Sequence, residues 1–270
     1  MRIAHRIGIN PDSNQQNILT KAGISLPVMN STVSNFFSFI LYEDSKEYIK
    51  LKPYFEKWQV MDMIGTEFAD EEVESAEILV ANAQWLNGCP QPEEKFSYIG
   101  LTYSDEGSCK ACGIRGAQKA PFRLKKEPNW GNKKIFHLNW VFDEFFVRRD
   151  VYETFFKKYG IEVMPVLLHK KDTVIESTVQ LIVPEVEVPL VLDNFDYEVC
   201  GVCGVKKYAP YFRGFFPGFK GAISNLFMWK SKERFGTGAN AFKRTFLTKE
   251  VRRELINNKM KMDFIPTKQG

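Results

Sequence analysis

Four of the five cysteines fall into two like units, Cys109-Lys-Ala-Cys112-Gly113 and Cys200-Gly-Val-Cys203-Gly204. Thiolates are soft donors, and a structural zinc ion takes four of them at the corners of a tetrahedron. Two intervening residues let both sulfurs of a pair reach one ion. Glycine after the second cysteine permits the positive φ that turns a backbone N–H toward a thiolate. The spacing predicts one structural Zn2+ held by Cys109, Cys112, Cys200 and Cys203. Two redox CxxC sites are the poorer reading, because no thioredoxin-like βαβ context surrounds either pair. A further alternative is a pair of half-sites, each completed by histidine from among His5, His137 and His169. Cys89, beside Pro90, reads as a free buried thiol.

An ion held by four cysteines has no open position for a substrate, so the site staples the chain and does no chemistry. No other constellation makes an active site. Gly236-Thr-Gly238 lacks the continuation of a phosphate loop and reads as a turn. Asp143 and Glu144 are adjacent, which points their carboxylates to different faces and suits a helix start or a partner contact better than a catalytic pair. The expectation is a binding protein without enzymatic activity or small-molecule substrate.

The knuckles lie 87 residues apart, counting 113–199, a separation that costs little because loop-closure entropy grows only logarithmically. Strand-like segments must bring them together. FSYIGLTY (96–103) leads into Cys109, and Glu187–Leu192 carries the chain toward Cys200. Further strands are expected over 34–42, 135–140, 162–168 and 174–183. Asp150–Tyr159 has apolar residues at helical spacing, with Asp150 to cap it and Gly160 to end it. Pro53 argues against one unbroken helix over 44–58. Residues 115–132 read as loop and edge strand. The pattern helix, turn, strand ending in Pro over 147–165 returns over 247–266. The fold class is therefore α+β, mostly antiparallel, with a zinc-ribbon-like four-cysteine site built from two distant knuckles. The expected division is an acidic α+β region over 1–84 and a zinc-knuckle α+β domain over 85–270.

Net charge is +4, unevenly spread. Residues 1–100 carry 8 Lys/Arg against 14 Asp/Glu, residues 101–200 carry 14 against 15, and residues 201–270 carry 15 against 4. The N-terminal excess centres on Asp62, Glu67, Asp70, Glu71, Glu72, Glu74 and Glu77. Such asymmetry suits either internal compensation or a charged partner surface. No run of 18 apolar residues is present and the start resembles no secretory leader, so the expected setting is the cytoplasm, where thiols bind metal or stay free.

The two CxxCG units, Lys207-Tyr208 and Arg213-Gly214 after the second of them, and the closing segment FLTKEVRRELINNKMKMDFIP resemble the double-CxxCG motif immunity proteins of bacterial polymorphic toxin systems. The resemblance covers roughly residues 85–270, and the stretch between the knuckles is longer than the family's pattern. It implies a zinc-containing cytoplasmic antidote that binds a cognate protein toxin and has no catalytic residues. The alternative is a zinc-ribbon nucleic-acid-binding protein, suggested by the basic last third with its interleaved Tyr208, Tyr211, Phe212, Phe215, Phe216 and Phe219.

Overall fold

The computed structural model describes residues 1–26, 36–223 and 226–268. The chain forms two compact units, one of residues 1–72 with 212–215 and one of residues 73–211 with 216–270.

The first unit is a three-stranded antiparallel sheet of β1 (Arg2–Ile9), β2 (Phe37–Tyr42) and β3 (Met61–Glu67), with β1 in the centre. Two helices accompany it, α1 (Ser13–Lys21) and α2 (Lys46–Trp58). Ile7, Ile9, Leu19, Leu41, Tyr48, Leu51 and Phe55 form its core. Asp12 and Gln15 close a capping box on α1, and Ser45 caps α2. Contrary to the sequence expectation, α2 runs unbroken through Pro53. Pro53 lies on the exposed face, as does Ile49, whose carbonyl loses its partner, so water replaces the missing N–H. The strand expected over 34–42 is β2; Ser34 and Asn35 lie outside the described residues. The short helix α3 (Asp70–Ser75) follows β3.

The second unit holds two sheets. The six-stranded one has β4 (Ile78–Ala83) between a later hairpin strand and the last strand of the chain. The segment expected as a strand over 96–103 is instead a 3-10 turn (Glu94–Phe96) and the short helix α4 (Tyr98–Thr102). Its only buried side chains, Tyr98 and Thr102, are spaced as on one helix face. There follow β5 (Arg123–Leu124), β6 (Ile135–Leu138) and β7 (Val141–Arg148), then helix α5, which opens at Arg149–Val151 and continues as a π-turn (Tyr152–Phe156) and a 3-10 turn (Lys157–Tyr159). Arg148 is its N-cap, while the Asp150 carboxylate accepts the Val151 N–H, and left-handed Gly160 ends it. β8 (Glu162–Leu168) and β9 (Thr173–Ile182) complete the five-stranded sheet, order β5-β8-β9-β7-β6. Residues 187–192 form no strand; Glu185 and Leu190 make only single bridges, because prolines at 184 and 189 remove the donors a ladder needs. The six-stranded sheet continues with β10 (Tyr197–Val199), β11 (Lys206–Tyr208), β12 (Met228–Phe235), β13 (Phe242–Thr248), helix α6 (Lys249–Asn257) and β14 (Met262–Pro266), in the order β10-β11-β12-β13-β4-β14. Only β5–β8 and β11–β12 pair in parallel among the named strands, so the mostly antiparallel α+β class holds. β4 lies within the region the sequence reading assigned to 1–84, yet its two neighbours are β13 and β14, so it belongs to the second unit.

The two sheets repeat one another. In each, a hairpin (β6–β7 or β12–β13) leads through a helix (α5 or α6) to a strand parallel to its second member (β8 or β14), and one antiparallel strand fills the gap between (β9 or β4). The registers correspond. Val179 faces Val147 on one side and Pro165 on the other; Leu79 faces Leu247 and Pro266. Read along the chain, each repeat is a strand, a CxxCG knuckle, a hairpin, a helix and a strand. The first strand of each repeat is inserted in the other's sheet: β4 in the second, β9 in the first. The inner faces and both helices share one core, with Leu79, Ala81, Val147, Val151, Phe155, Val179, Leu181, Leu247, Val251 and Leu255. A second cluster backs the five-stranded sheet and a third the six-stranded one. Strands buried on both faces read as continuous apolar runs, which explains FFV in β7 and ILVA in β4.

Candidate metal centre

Each knuckle is a tight turn closed by the same two hydrogen bonds. The Cys109 N–H donates to the Ile114 carbonyl (2.9 Å) and the Gly113 N–H to the Cys109 carbonyl (2.8 Å). The Cys200 N–H donates to the Val205 carbonyl (3.1 Å) and the Gly204 N–H to the Cys200 carbonyl (2.9 Å). Gly113 and Gly204 both take a left-handed φ, 72° and 71°, the role their position after the second cysteine predicts. The second knuckle is the loop of the β10–β11 hairpin. The first is held by its flanks: Ser108 Oγ donates to the Ser104 carbonyl (2.6 Å) and accepts the Gly116 N–H (2.8 Å). A side chain at Gly116 would stand 2.2 Å from the Glu106 carbonyl oxygen, and one at Gly113 would stand 2.5 Å from Ala239.

The four sulfurs meet. Cys109 Sγ lies 3.9 Å from Cys200 Sγ, Cys112 Sγ lies 3.7 Å from Cys203 Sγ, and all four are within 4.8 Å of one another. A tetrahedron with metal–sulfur bonds of about 2.3 Å has edges of about 3.8 Å, so the cluster is the right size for one ion. A disulfide needs about 2.05 Å, and all five cysteines are free. Backbone donors already favour thiolates. The Cys203 and Val202 N–H groups draw the Cys200 thiol down to about 6, and the Cys112 N–H lowers Cys109. Cys203 goes the other way, to about 11: the Val205 N–H pulls it down, but loss of water and hydrogen bonds with the neighbouring sulfurs outweigh it. Four adjacent sulfurs do not ionise together unaided; a soft divalent cation makes that state favourable.

No protein-family model matches the chain, and no curated protein matches it.

Among the described residues no other group of His, Cys, Asp and Glu has metal-binding spacing. Cys89 is half-buried and outside the cluster. His137 is a core residue: its Nε2 accepts the Ala83 N–H (3.0 Å), its Nδ1–H donates to the Glu144 carbonyl (2.7 Å), and burial lowers its pKa to about 4. His5 pairs with Asp62 at 2.9 Å. Gly236–Gly238 lies in the β12–β13 turn, whose Ala239 packs on Gly113. Asp143 and Glu144 lie within strand β7, not at a helix start. Glu144 is buried against Lys230 Nζ at 2.6 Å and Gln180 Nε2 at 3.1 Å. No helix is long and apolar enough to cross a membrane among the described residues.

The residue that the donor motif alone does not disclose is Lys207. It is buried on β11, and its Nζ donates to the Cys112 carbonyl at 2.9 Å, with Glu198 at 3.7 Å. It thus ties the hairpin of the second knuckle to the backbone of the first. A lysine between Lys206 and Tyr208 gives no sign of its burial in sequence. The repeat did leave a readable trace: Ala120-Pro-Phe-Arg123 follows the first knuckle, and Ala209-Pro-Tyr-Phe-Arg213 follows the second.

Proposed function

We propose that the chain is a zinc-stapled immunity protein that binds and neutralises a cognate bacterial toxin in the cytoplasm, acting by binding and not by catalysis. The observation that carries this reading is the meeting of the two CxxCG knuckles, the residues on which the family resemblance rests, in one four-sulfur cluster of tetrahedral size. Cys109, Cys112, Cys200 and Cys203 would hold the ion, whose contribution is structural, because metal-binding free energy at such a site is folding free energy. The nucleic-acid reading is weaker, since Phe216 is buried and Tyr208, Tyr211 and Phe219 pack against the same cluster, which removes much of the aromatic surface that base stacking requires.

The test has two parts. Metal analysis of the purified chain is expected to give about one zinc per chain, lost in Cys200→Ser. Co-production with the product of the adjacent gene is then expected to yield a stable complex and to protect cells from it. A chain that carries zinc but neither captures nor protects against that product would refute the immunity reading alone.

A further inference from the structure

The charge asymmetry of the sequence resolves differently at its two ends. Of the seven acidic residues between 62 and 77, Asp62 is held by His5, Glu67 accepts the Tyr42 hydroxyl at 2.6 Å, Glu72 takes the N-terminal ammonium at 2.6 Å, and Glu77 faces Lys249 at 3.5 Å. Among the described residues Asp70, Glu71 and Glu74 have neither an ion-pair partner nor a hydroxyl donor. In the basic third, Lys220 pairs with Asp193, Lys230 with Glu144, Lys243 with Glu185 and Lys249 with Glu77. Lys206, Lys232 and Arg234 have no carboxylate partner among the described residues, and all three line one cleft of about 750 Å3 beside the second knuckle. Its lining includes the core residues Leu190 and Leu192, which are almost wholly buried, the half-buried Tyr208 and the exposed Tyr197. Lys206 lies 4.0 Å over the Tyr197 ring, which holds its ammonium at the rim. Two carboxylates also line the cleft, Asp193, which pairs with Lys220, and Glu233, whose Oε1 accepts the Leu190 N–H at 3.1 Å, so the cations remain in excess.

We propose that this cleft receives an acidic segment of a partner protein, one in which carboxylates flank an aliphatic or aromatic side chain. The apolar side chain seats against the exposed Tyr197 ring, and the carboxylates reach Lys206, Lys232 and Arg234. An apolar centre ringed by charge is how tight protein interfaces divide their labour: the anchor supplies affinity, and the charges supply encounter rate and choice of partner. A nucleic acid fits less well, because Tyr208 packs on the core and leaves Tyr197 as the one exposed aromatic ring in the cleft lining on which a base could stack. The inference takes the immunity reading for the partner's identity, since the segment would belong to the toxin.

The test uses the zinc-loaded full chain and three fluorescent probes: a short peptide with a central Leu-Tyr flanked by Glu, the same peptide with Lys for Glu, and a single-stranded oligonucleotide of equal charge. The acidic peptide is expected to bind, weakening as salt rises, and Lys206→Glu with Lys232→Glu is expected to weaken it about tenfold or more. Both lysines are exposed, so zinc content and melting temperature should not change. A control reversal at Arg253 and Lys259, remote from the cleft lining, should have no effect. Equal loss in that control, no binding of the acidic peptide, or tighter binding of the oligonucleotide would each overturn the proposal. Capture of the toxin by wild type and equally by the double variant would sink the cleft while leaving the immunity reading intact.

Discussion

The two knuckles share their backbone hydrogen bonds and glycine conformation, but their surroundings differ, and the difference sets a measurable asymmetry. Gly204 has open space where a Cβ would be, so Gly204→Ala incurs only the left-handed backbone cost of about 1–2 kcal/mol. At Gly113 the same cost is joined by contacts of 2.5 Å with the Ala239 Cβ and 2.9 Å with its Cα. Overpacking against a fixed main chain adds about 1–3 kcal/mol. Denaturant unfolding of the zinc-loaded variants should therefore rank Gly113→Ala well below Gly204→Ala, and equal losses would mean the Ala239 turn yields freely. Lys207 provides a second residue-scale test. Lys207→Met keeps the volume and removes the bond to the Cys112 carbonyl. Metal affinity by chelator competition should fall about 10–100-fold, the usual cost of losing a group that orients a ligand. Stability without metal should change little or rise, because burying a lysine is itself expensive. An unchanged affinity would reduce Lys207 to a packing residue. The four cysteines were legible because their chemistry is local to a five-residue pattern. Lys207 and Ala239 were not, because their roles depend on which segments the fold brings beside the first knuckle.

At the scale of elements, sequence pattern failed where a short segment can satisfy two periods. The helix over 150–159 and the strand over 162–168 were readable from spacing, and the strand expected over 135–140 forms at 135–138. FSYIGLTY alternates like a strand, yet Tyr98 and Thr102 also sit one helical turn apart, and the helical option won. Pro53 misled because a helix loses only one hydrogen bond to proline when that carbonyl faces water. His137 shows how an element can carry a pH dependence that no motif announces. Its ring joins the end of β4 to β7, neutral in the fold, with its pKa lowered to about 4 by burial. In the unfolded chain it titrates near about 6.5. Above that value neither state is protonated and the full stability is present. As pH falls from about 6.5 to 4 the unfolded state alone gains the proton, so stability is lost across that window, by about 3 kcal/mol at the limit. His137→Gln should be less stable at neutral pH and should show a shallower decline over the same window. Parallel curves for the two proteins would assign the acid sensitivity to the thiolates instead.

On the scale of the whole second unit, the four-sulfur cluster and the strand exchange join the same two repeats by different means. Each repeat supplies one knuckle to the four-sulfur cluster, and each supplies one strand to the other's sheet. The echo between 147–165 and 247–266 was visible in sequence, but its first strand was not, because β4 and β9 pair across the repeats and only the registers of Leu79 and Val179 reveal the equivalence. The two ties should respond differently to chelation. β4 and β9 are central strands with a ladder on both sides and side chains in the shared core, so their protection comes from burial and hydrogen bonds that do not involve the metal. The hairpin β10–β11 lies at the edge of its sheet and has three-residue strands; β10 is exposed throughout, β11 buries only Lys207, and the loop is the second knuckle. Removal of zinc should therefore release residues 109–113 and 197–208 first, with amide exchange there rising by orders of magnitude while 78–83 and 173–182 stay protected. Hydrogen exchange before and after chelation measures this directly. Loss of protection in β4 and β9 together with the knuckles would show that the exchanged strands cannot hold the repeats without the ion, and that metal binding and folding of the whole unit are one transition.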